Sequence, residues 1–245
     1  MLEVINAKKY FGGVHAVDDV SFSIKEGKIT ALIGPNGSGK STLFNLISGV
    51  YALDSGEIFF LKKELNKLSI EERSNLGISR IFQSSRMFKN LTLKENLLLS
   101  LSNKDKSFWS NFFRLNYVKK EDMLAIIEAL KLVGLESKLN SLGSELSFGQ
   151  KRLVEITRAI LKPHKILLLD EPVAGVTPAL RGKIADLLLS LKKKGETILL
   201  IEHDMNFTLG IADEVIVLDE GKVIASGVPR KIKKNKKVLK AYLGD

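Results

Sequence analysis

The amino-acid sequence predicts an α/β fold with a helical insertion, and three observations carry that expectation. Compact apolar runs cluster toward both ends of the chain: VSFSIK, KITALIG and EIFFL early, KILLLDEP, TILLIEHD and EVIVLDEGKVIASG late. KILLLDEP and TILLIEHD flank a helical pattern at Ile184, Leu187, Leu188 and Leu191, as buried parallel strands joined by a crossover helix require. From about Phe88 to Leu161 the strand signals fade and helical spacing dominates.

The early runs are each bounded by Gly, Asp or Ser and read as strands. Within the insertion, EDMLAIIEALKLVGL sets Met123, Ile126, Ile127 and Leu130 on one helical face and ends near Gly134. Just before it, NKDKSFWSNFFRLNYVKK gathers Phe108, Trp109, Phe112, Phe113 and Tyr117 between basic residues, either as a docking surface or as an excursion that caps the core. The chain therefore divides into a core of residues 1–87 and 162–245 and a helical subdomain of residues 88–161. No internal repeat is present, so one copy of any site is expected.

With 245 residues, 44% hydrophobic and 27% charged, the composition suits one large folded domain carrying a subdomain and excludes disorder as the default. No apolar run approaches the roughly 18 residues of a spanning helix, and MLEVINAKKYFGG lacks the apolar stretch of a secretory signal, so a cytosolic chain is expected. Zero cysteines exclude disulfides and thiolate metal sites. His15, His164 and His203 are scattered, so any metal would be held by oxygen ligands, with Mg²⁺ beside a phosphate the natural candidate.

The formal charge of +10 fits nucleic acid, an anionic membrane surface, phosphate ligands or mere solubility. Its densest run, PRKIKKNKKVLK, holds Arg230, Lys231, Lys233, Lys234, Lys236, Lys237 and Lys240 without an acid until Asp245. It lacks interleaved stacking aromatics, which favours a solvated or membrane-facing tail over a nucleic-acid arm.

KITALIG runs into Gly34-Pro35-Asn36-Gly37-Ser38-Gly39-Lys40-Ser41-Thr42, followed by the helical LFNLISG. This matches GxxxxGK[ST] in its strand, loop, helix context. Glycines let successive backbone N–H groups converge on the β- and γ-phosphates of a nucleotide, the helix N-terminus adds its dipole, Lys40 a point charge and Ser41 an oxygen for Mg²⁺. The run ILLLDE ends abruptly in Asp170 and Glu171. By themselves two acids after a strand make a solvated turn, but beside a phosphate loop Asp170 can join the Mg²⁺ shell and Glu171 can face a water in line with the γ-phosphorus. His203 closes the strand TILLIEHD and, in a parallel sheet, emerges on the same edge, where it can sense the γ-phosphate. Gln83, after the short run RIF, could reach the metal or the attacking water.

ELSFGQK, residues 145–151, opens a second helix: Ser147 and Gln150 have capping-box spacing ahead of Leu153, Ile156 and Ile160. Gly149 inside the first turn costs roughly 1 kcal/mol against Ala. It is either a tolerated glycine or a place where something must approach the backbone closely.

Over nearly its whole length the chain resembles the nucleotide-binding subunit of an ATP-binding cassette (ABC) transporter. The resemblance implies a P-loop ATPase core with an N-terminal antiparallel β subdomain and an inserted α-helical signature subdomain. ELSFGQK is similar to the family's LSGGQ signature, which implies that Ser147, Phe148, Gly149 and Gln150 meet the γ-phosphate of an ATP held on the opposite subunit's P-loop. The pattern also implies Phe11, or alternatively Tyr10, as the aromatic that stacks on adenine, Gln83 as the Q-loop glutamine and His203 as the switch histidine. Two positions depart from it: Phe148 replaces the first glycine of the signature pair, and Thr177 stands at the D-loop aspartate in DEPVAGVTP.

Within the family the resemblance points to the ATP-binding subunits of branched-chain amino acid uptake systems, through YFGGVHAVDDVSF, GPNGSGKSTLFNLISG, RIFQSSRMFKNLTLKENLL, the insert near FWSNFF, EPVAGVTP, IEHDM and VLKAYLG. Urea or amide importers and the lipopolysaccharide-export ATPase share several of these. The resemblance thus implies ATP and Mg²⁺ as ligands, a homodimer or a heterodimer with a second ABC ATPase subunit, integral membrane permease partners, no specific nucleic acid, and a peripheral place on the cytoplasmic face of the inner (plasma) membrane. A soluble ABC protein acting on nucleic acid or ribosomes is the alternative, supported by charge alone.

Overall fold

The computed structural model describes residues 1–81, 87–101 and 119–243; Gln83 and the aromatic-rich segment around Trp109 lie outside them. Two sheets meet over one buried helix. Leu2–Phe11 (β1), Val14–Ile24 (β2), Ser55–Phe60 (β4) and Lys63–Glu64 (β5) form an antiparallel sheet in the order β2-β1-β4-β5. Ile29–Ile33 (β3), Ile78–Ile81 (β6), Ile166–Asp170 (β7), Thr197–Ile201 (β8), Glu214–Asp219 (β9) and Lys222–Gly227 (β10) form the second, in the order β10-β9-β3-β8-β7-β6. All its pairings are parallel except β9 with β10.

That exception comes from a turn. EVIVLDEGKVIASG reads as one apolar run, yet Glu220 and Gly221 both take positive φ, 44° and 76°, and fold it into a hairpin. β1 does not alternate evenly along its length. Its buried residues are Leu2, Val4 and Ala7, and the even alternation is lost at Asn6, whose φ of 47° accompanies a register shift against β2.

The parallel strands are apolar without alternation because both faces are covered. Leu167, Leu169, Ile198, Leu200, Val215 and Val217 face one cluster, and Ile166, Leu168, Leu199, Ile201, Ile216 and Leu218 face the other. The second cluster also holds Leu2, Val4, Ile24, Ile58 and Phe60 of the antiparallel sheet. Between the two sheets runs α1 (Lys40–Ser48), with Leu43, Phe44, Leu46 and Ile47 at most 1% exposed. Its C-terminal carbonyls are closed by a buried cation from α2 (Ile70–Asn75): Arg73 Nη1 donates to Leu46 O at 2.5 Å and Ile47 O at 3.0 Å.

On the other side, α3 (Leu93–Leu101), α4 (Lys120–Val133) and α5 (Phe148–Leu161) share one core through Leu93, Leu97, Ile126, Leu130, Leu153 and Val154. α4 stops at Gly134, φ 66°, as its sequence predicts. Its buried stripe is Ile126, Ala129, Leu130 and Val133; Met123 and Ile127 are only partly covered, so the face is turned slightly from the predicted one. The crossover helix α6 (Pro178–Lys193) buries Ile184, Leu187, Leu188 and Leu191 as predicted. It is followed by α7 (Met205–Ile211), α8 (Pro229–Ile232) and α9 (Lys236–Leu243). Among the described residues no helix is long and apolar enough to cross a membrane.

Because Phe44 fills the space between both sheets, Phe44→Ala should destabilise the fold by about 3–5 kcal/mol. Urea unfolding checks this; a loss under about 1 kcal/mol would contradict the packing of α1.

Candidate functional site

β3 delivers the chain into Gly34 at the edge of the sheet, and α1 starts six residues later. Gly34 has φ 155°, and a Cβ there would lie 2.0 Å from Leu218 O at the end of β9. Gly39 has φ 99°, and its Cβ would lie 2.2 Å from Ala16 O of β2. No residue but glycine fits either position. Gly39 is also the N-cap of α1 and offers no side chain to the first turn, so the helix's leading N–H groups and its positive dipole end are left to the loop. Pro35, Asn36 and Gly37 form the outer arc, with Asn36 and Gly37 exposed and Ser38 buried; Ser41 is exposed and Thr42 half-buried on the first turn.

Lys40 folds back across this arc. Its Nζ donates to Gly34 O at 2.9 Å, Pro35 O at 2.8 Å and Ser38 Oγ at 3.3 Å. Burial pushes its pKa down, while the charges of Glu171 and Asp170 push it back up, so the cation sits within the field of the acid pair.

Asp170 is the last residue of β7 and nearly buried. Arg80 on β6, which the sequence reading did not single out, pairs with it at 3.0 Å through Nη2 and donates through Nη1 to Asn45 Oδ1 and Ser48 Oγ, each at 2.7 Å. The signal was available: a buried strand such as ISRI tolerates an arginine only against a partner. Glu171 follows with φ 48°, a left-handed conformation uncommon for a residue with a side chain. Its N–H donates to Ile201 O at 3.0 Å, which ties the turn to the end of β8.

His203 lies just beyond that same strand end, half exposed, with Nδ1 3.9 Å from Glu171 Oε1. Glu202 beside it is fully buried, accepts from Val173 N at 2.8 Å and from His203 N at 3.3 Å, and its carboxyl is raised mainly by burial. Nothing in the sequence distinguishes this glutamate from a solvated one. Asp204 caps α7 and pairs with Arg181 of α6 at 2.6 Å.

The capping box at α5 forms as its spacing predicts. Gln150 N donates to Ser147 Oγ at 3.3 Å and Ser147 N to Gln150 Oε1 at 2.9 Å. Gly149 meets a close approach from its own chain: a Cβ would lie 2.5 Å from Leu180 Cδ2. Phe148 is 65% exposed, and its ring edge covers Gly175 of the EPVAGVTP segment. Thr177 is the N-cap of α6, but its hydroxyl makes no capping bond.

Phe11 is 42% exposed, with an edge contact to Tyr51, ring centroids 5.3 Å apart, and Lys9 Nζ over its ring at 5.5 Å from the centroid, while Tyr10 lies tilted against His15 at 4.3 Å. Of the two aromatics, Phe11 is the more exposed. Lys40, Asp170, Glu171 and His203 are thus gathered at the carboxyl ends of β3, β7 and β8. Among the described residues, Ser147, Gly149 and Gln150 make no hydrogen bond to residues 34–42.

This geometry has close counterparts. The family described as ABC transporter matches residues 17–174, and a second, described as branched-chain amino acid ATP-binding cassette transporter, matches residues 222–245. A probable branched-chain amino acid transport ATP-binding protein LivG of Methanocaldococcus jannaschii is 39% identical, with 100% of this chain and 98% of the relative covered. The high-affinity branched-chain amino acid transport ATP-binding protein LivG of Salmonella typhimurium is 36% identical at the same coverage. Among solved structures, the ADP conformation of MJ1267, an ATP-binding cassette of an ABC transporter, aligns with a TM-score of 0.87 at 36% identity, covering 100% of this chain and 99% of that one. A dimeric post-hydrolysis state of the cassette MJ0796 bound to ADP and Pi aligns with a TM-score of 0.79 at 29% identity, covering 94% and 99%. Likeness of sequence and fold over the full length means that the chain belongs to the ABC transporter family, as an ATP-binding cassette.

Proposed function

We propose that the chain is the ATP-hydrolysing subunit of a branched-chain amino acid importer, and that it works as half of a head-to-tail pair. One observation carries the reading above all: Lys40, in a glycine-bounded loop at an uncapped helix start, lies in the field of Asp170 and Glu171. The cargo assignment is supported by the C-terminal match and by the relatives' descriptions.

In this reading residues 34–42 cradle the phosphates, and Phe11 stacks on the base. The N–H groups of the first turn and Lys40 Nζ, whose three bonds go to loop oxygens that phosphate oxygens can replace, hold the negative charge. Glu171 accepts a proton from the attacking water, and His203 and Gln83 orient the γ-phosphate and that water. The oxygen donors of Ser41 and Asp170 fit Mg²⁺, which keeps few protein ligands beside phosphate, with Gln83 as a further donor. Bound there, Mg²⁺ would neutralise charge on the phosphate oxygens.

Ser147, Phe148, Gly149 and Gln150 sit at the start of α5, the first two exposed, and among the described residues none of them hydrogen-bonds to residues 34–42, which suits a nucleotide on a second subunit. A two-fold axis completes two sites at once, whether the second cassette is identical or merely similar. ATP closes the pair and hydrolysis opens it, with residues 88–161 as the arm that transmits the movement to membrane permease subunits. The chain then works peripherally, on the cytoplasmic face of the membrane.

Lys40→Ala should weaken ATP binding by about 1.5–3 kcal/mol, roughly 10- to 150-fold, by loss of a charged contact; undiminished affinity in calorimetry would remove the loop from the site. Glu171→Gln should slow turnover by about 10²- to 10⁴-fold and trap the ATP-bound pair. Tagged and recovered from solubilised host membranes with Mg²⁺ and ATP, that variant should bring down a multi-spanning permease whose reconstituted complex imports leucine, isoleucine or valine. Parental turnover, or recovery of ribosomal proteins or nucleic acid in place of a permease, would overturn the proposal.

A further inference from the structure

We propose that Arg152 couples the two ATP sites of the pair, as a positioning residue that ties the helix start gripping one nucleotide to the strand end that hydrolyses the other. The proposal rests on the head-to-tail reading above.

Arg152 lies on α5, one turn beyond the Ser147–Gln150 cap, and is 6% exposed. Its guanidinium spans three consecutive backbone carbonyls of the acid turn. Nη2 donates to Asp170 O at 2.9 Å and, closely, to Glu171 O; Nε donates to Pro172 O at 3.1 Å. Nη1 is occupied by Glu155 Oε2 at 2.9 Å, itself nearly buried, which supplies the counter-charge that an arginine in this position needs. A planar fork with five donors in fixed directions can bridge such a row; an ammonium cannot.

The clamped segment is the one whose conformation matters most for hydrolysis. Glu171 holds a sparsely populated backbone conformation, φ 48°, which persists only where its surroundings over-determine it. Arg152 fixes its carbonyl, Ile201 O its N–H, and Glu202 the N–H of Val173. The direction of the Glu171 carboxylate therefore depends on where α5 stands. A second joint reinforces the first: Leu180 seats against Gly149, and the Phe148 ring against Gly175. The start of α5 and residues 170–180 consequently move as one body. A nucleotide pulled onto Ser147 and Gln150 by the partner shifts this chain's own Glu171. No carboxylate at position 177 is needed for that route.

A residue that merely stapled the fold would give a different pattern from one that relays a signal. The test compares the parent with Arg152→Lys, which keeps the charge but loses the fork, and with Arg152→Met. The readouts are the ATP dependence of hydrolysis, the ATP affinity of dilute unpaired chain and the melting temperature. The parent should show a Hill coefficient approaching about 2, the number of coupled sites. Arg152→Lys should bring it to about 1 and lower kcat roughly 5- to 150-fold, the usual span of site-to-site coupling, with unpaired ATP affinity within about 2-fold of the parent. Arg152→Met should do the same; if it does not fold, Arg152→Lys decides. A cooperative parent whose Arg152→Lys variant keeps the Hill coefficient, or loses ATP affinity in step with kcat, overturns the coupling role alone. A parent with neither cooperativity nor ATP-dependent pairing overturns the coupling role and the paired site together.

Discussion

The structure depends on one steric constraint: both sheets converge on the phosphate loop so closely that only glycine fits at its two ends. Gly34 is pressed against Leu218 O from the parallel sheet, and Gly39 against Ala16 O from the antiparallel sheet. Backbone bonds close the same junction, from Gly221 N to Ser38 O at 3.2 Å and from Asp18 N to Gly221 O at 2.8 Å. The loop is thus the seam between two layers. α1 behind it buries Leu43, Phe44, Leu46 and Ile47 between the layers, so the field of its N-terminus is presented at a fixed place. Phe11, at the end of β1, pairs with Val14 of β2, two residues before Ala16.

Around the seam the molecule spends charge where it needs position. Arg73, Arg80 and Arg152 are all nearly buried, and each holds backbone carbonyls or a single carboxylate. Buried ion pairs contribute little net stability against the cost of desolvation, so their value here is geometric. Arg80 fixes Asp170 and bridges it to α1 through Asn45 and Ser48. Arg152 fixes the turn that follows. Between them the last residue of β7 is held from both sides, its carboxylate by one helix–strand layer and its carbonyl by the other.

Much of this was legible in the sequence, for identifiable reasons. The phosphate loop announces itself because glycine spacing, Lys40 and a strand on one side with a helix on the other are all local features. The cap at Ser147 and the stop at Gly134 are local as well, and both form as read. What escaped is non-local. Asp170 lies 90 residues from Arg80, the turn carbonyls 18 to 20 from Arg152 and Val173 29 from Glu202, and no spacing rule connects these pairs. The hairpin in EVIVLDEGKVIASG was hidden because its turn residues, Glu220 and Gly221, sit inside an otherwise continuous apolar pattern. Gly149 is instructive: its close neighbour in the chain is Leu180, a contact no inspection of ELSFGQK could supply.

In the proposed pair, the loop of one subunit and the α5 start of another form a single site. The chain has no cysteine, so a disulfide between Asn36→Cys and Phe148→Cys, both at exposed positions, would report that juxtaposition without background. A disulfide needs Cα atoms within about 7 Å. Under mild oxidation a covalent dimer should accumulate with Mg²⁺ and ATP and be scarce without nucleotide. Equal cross-linking with and without ATP, or none with ATP bound, would contradict it.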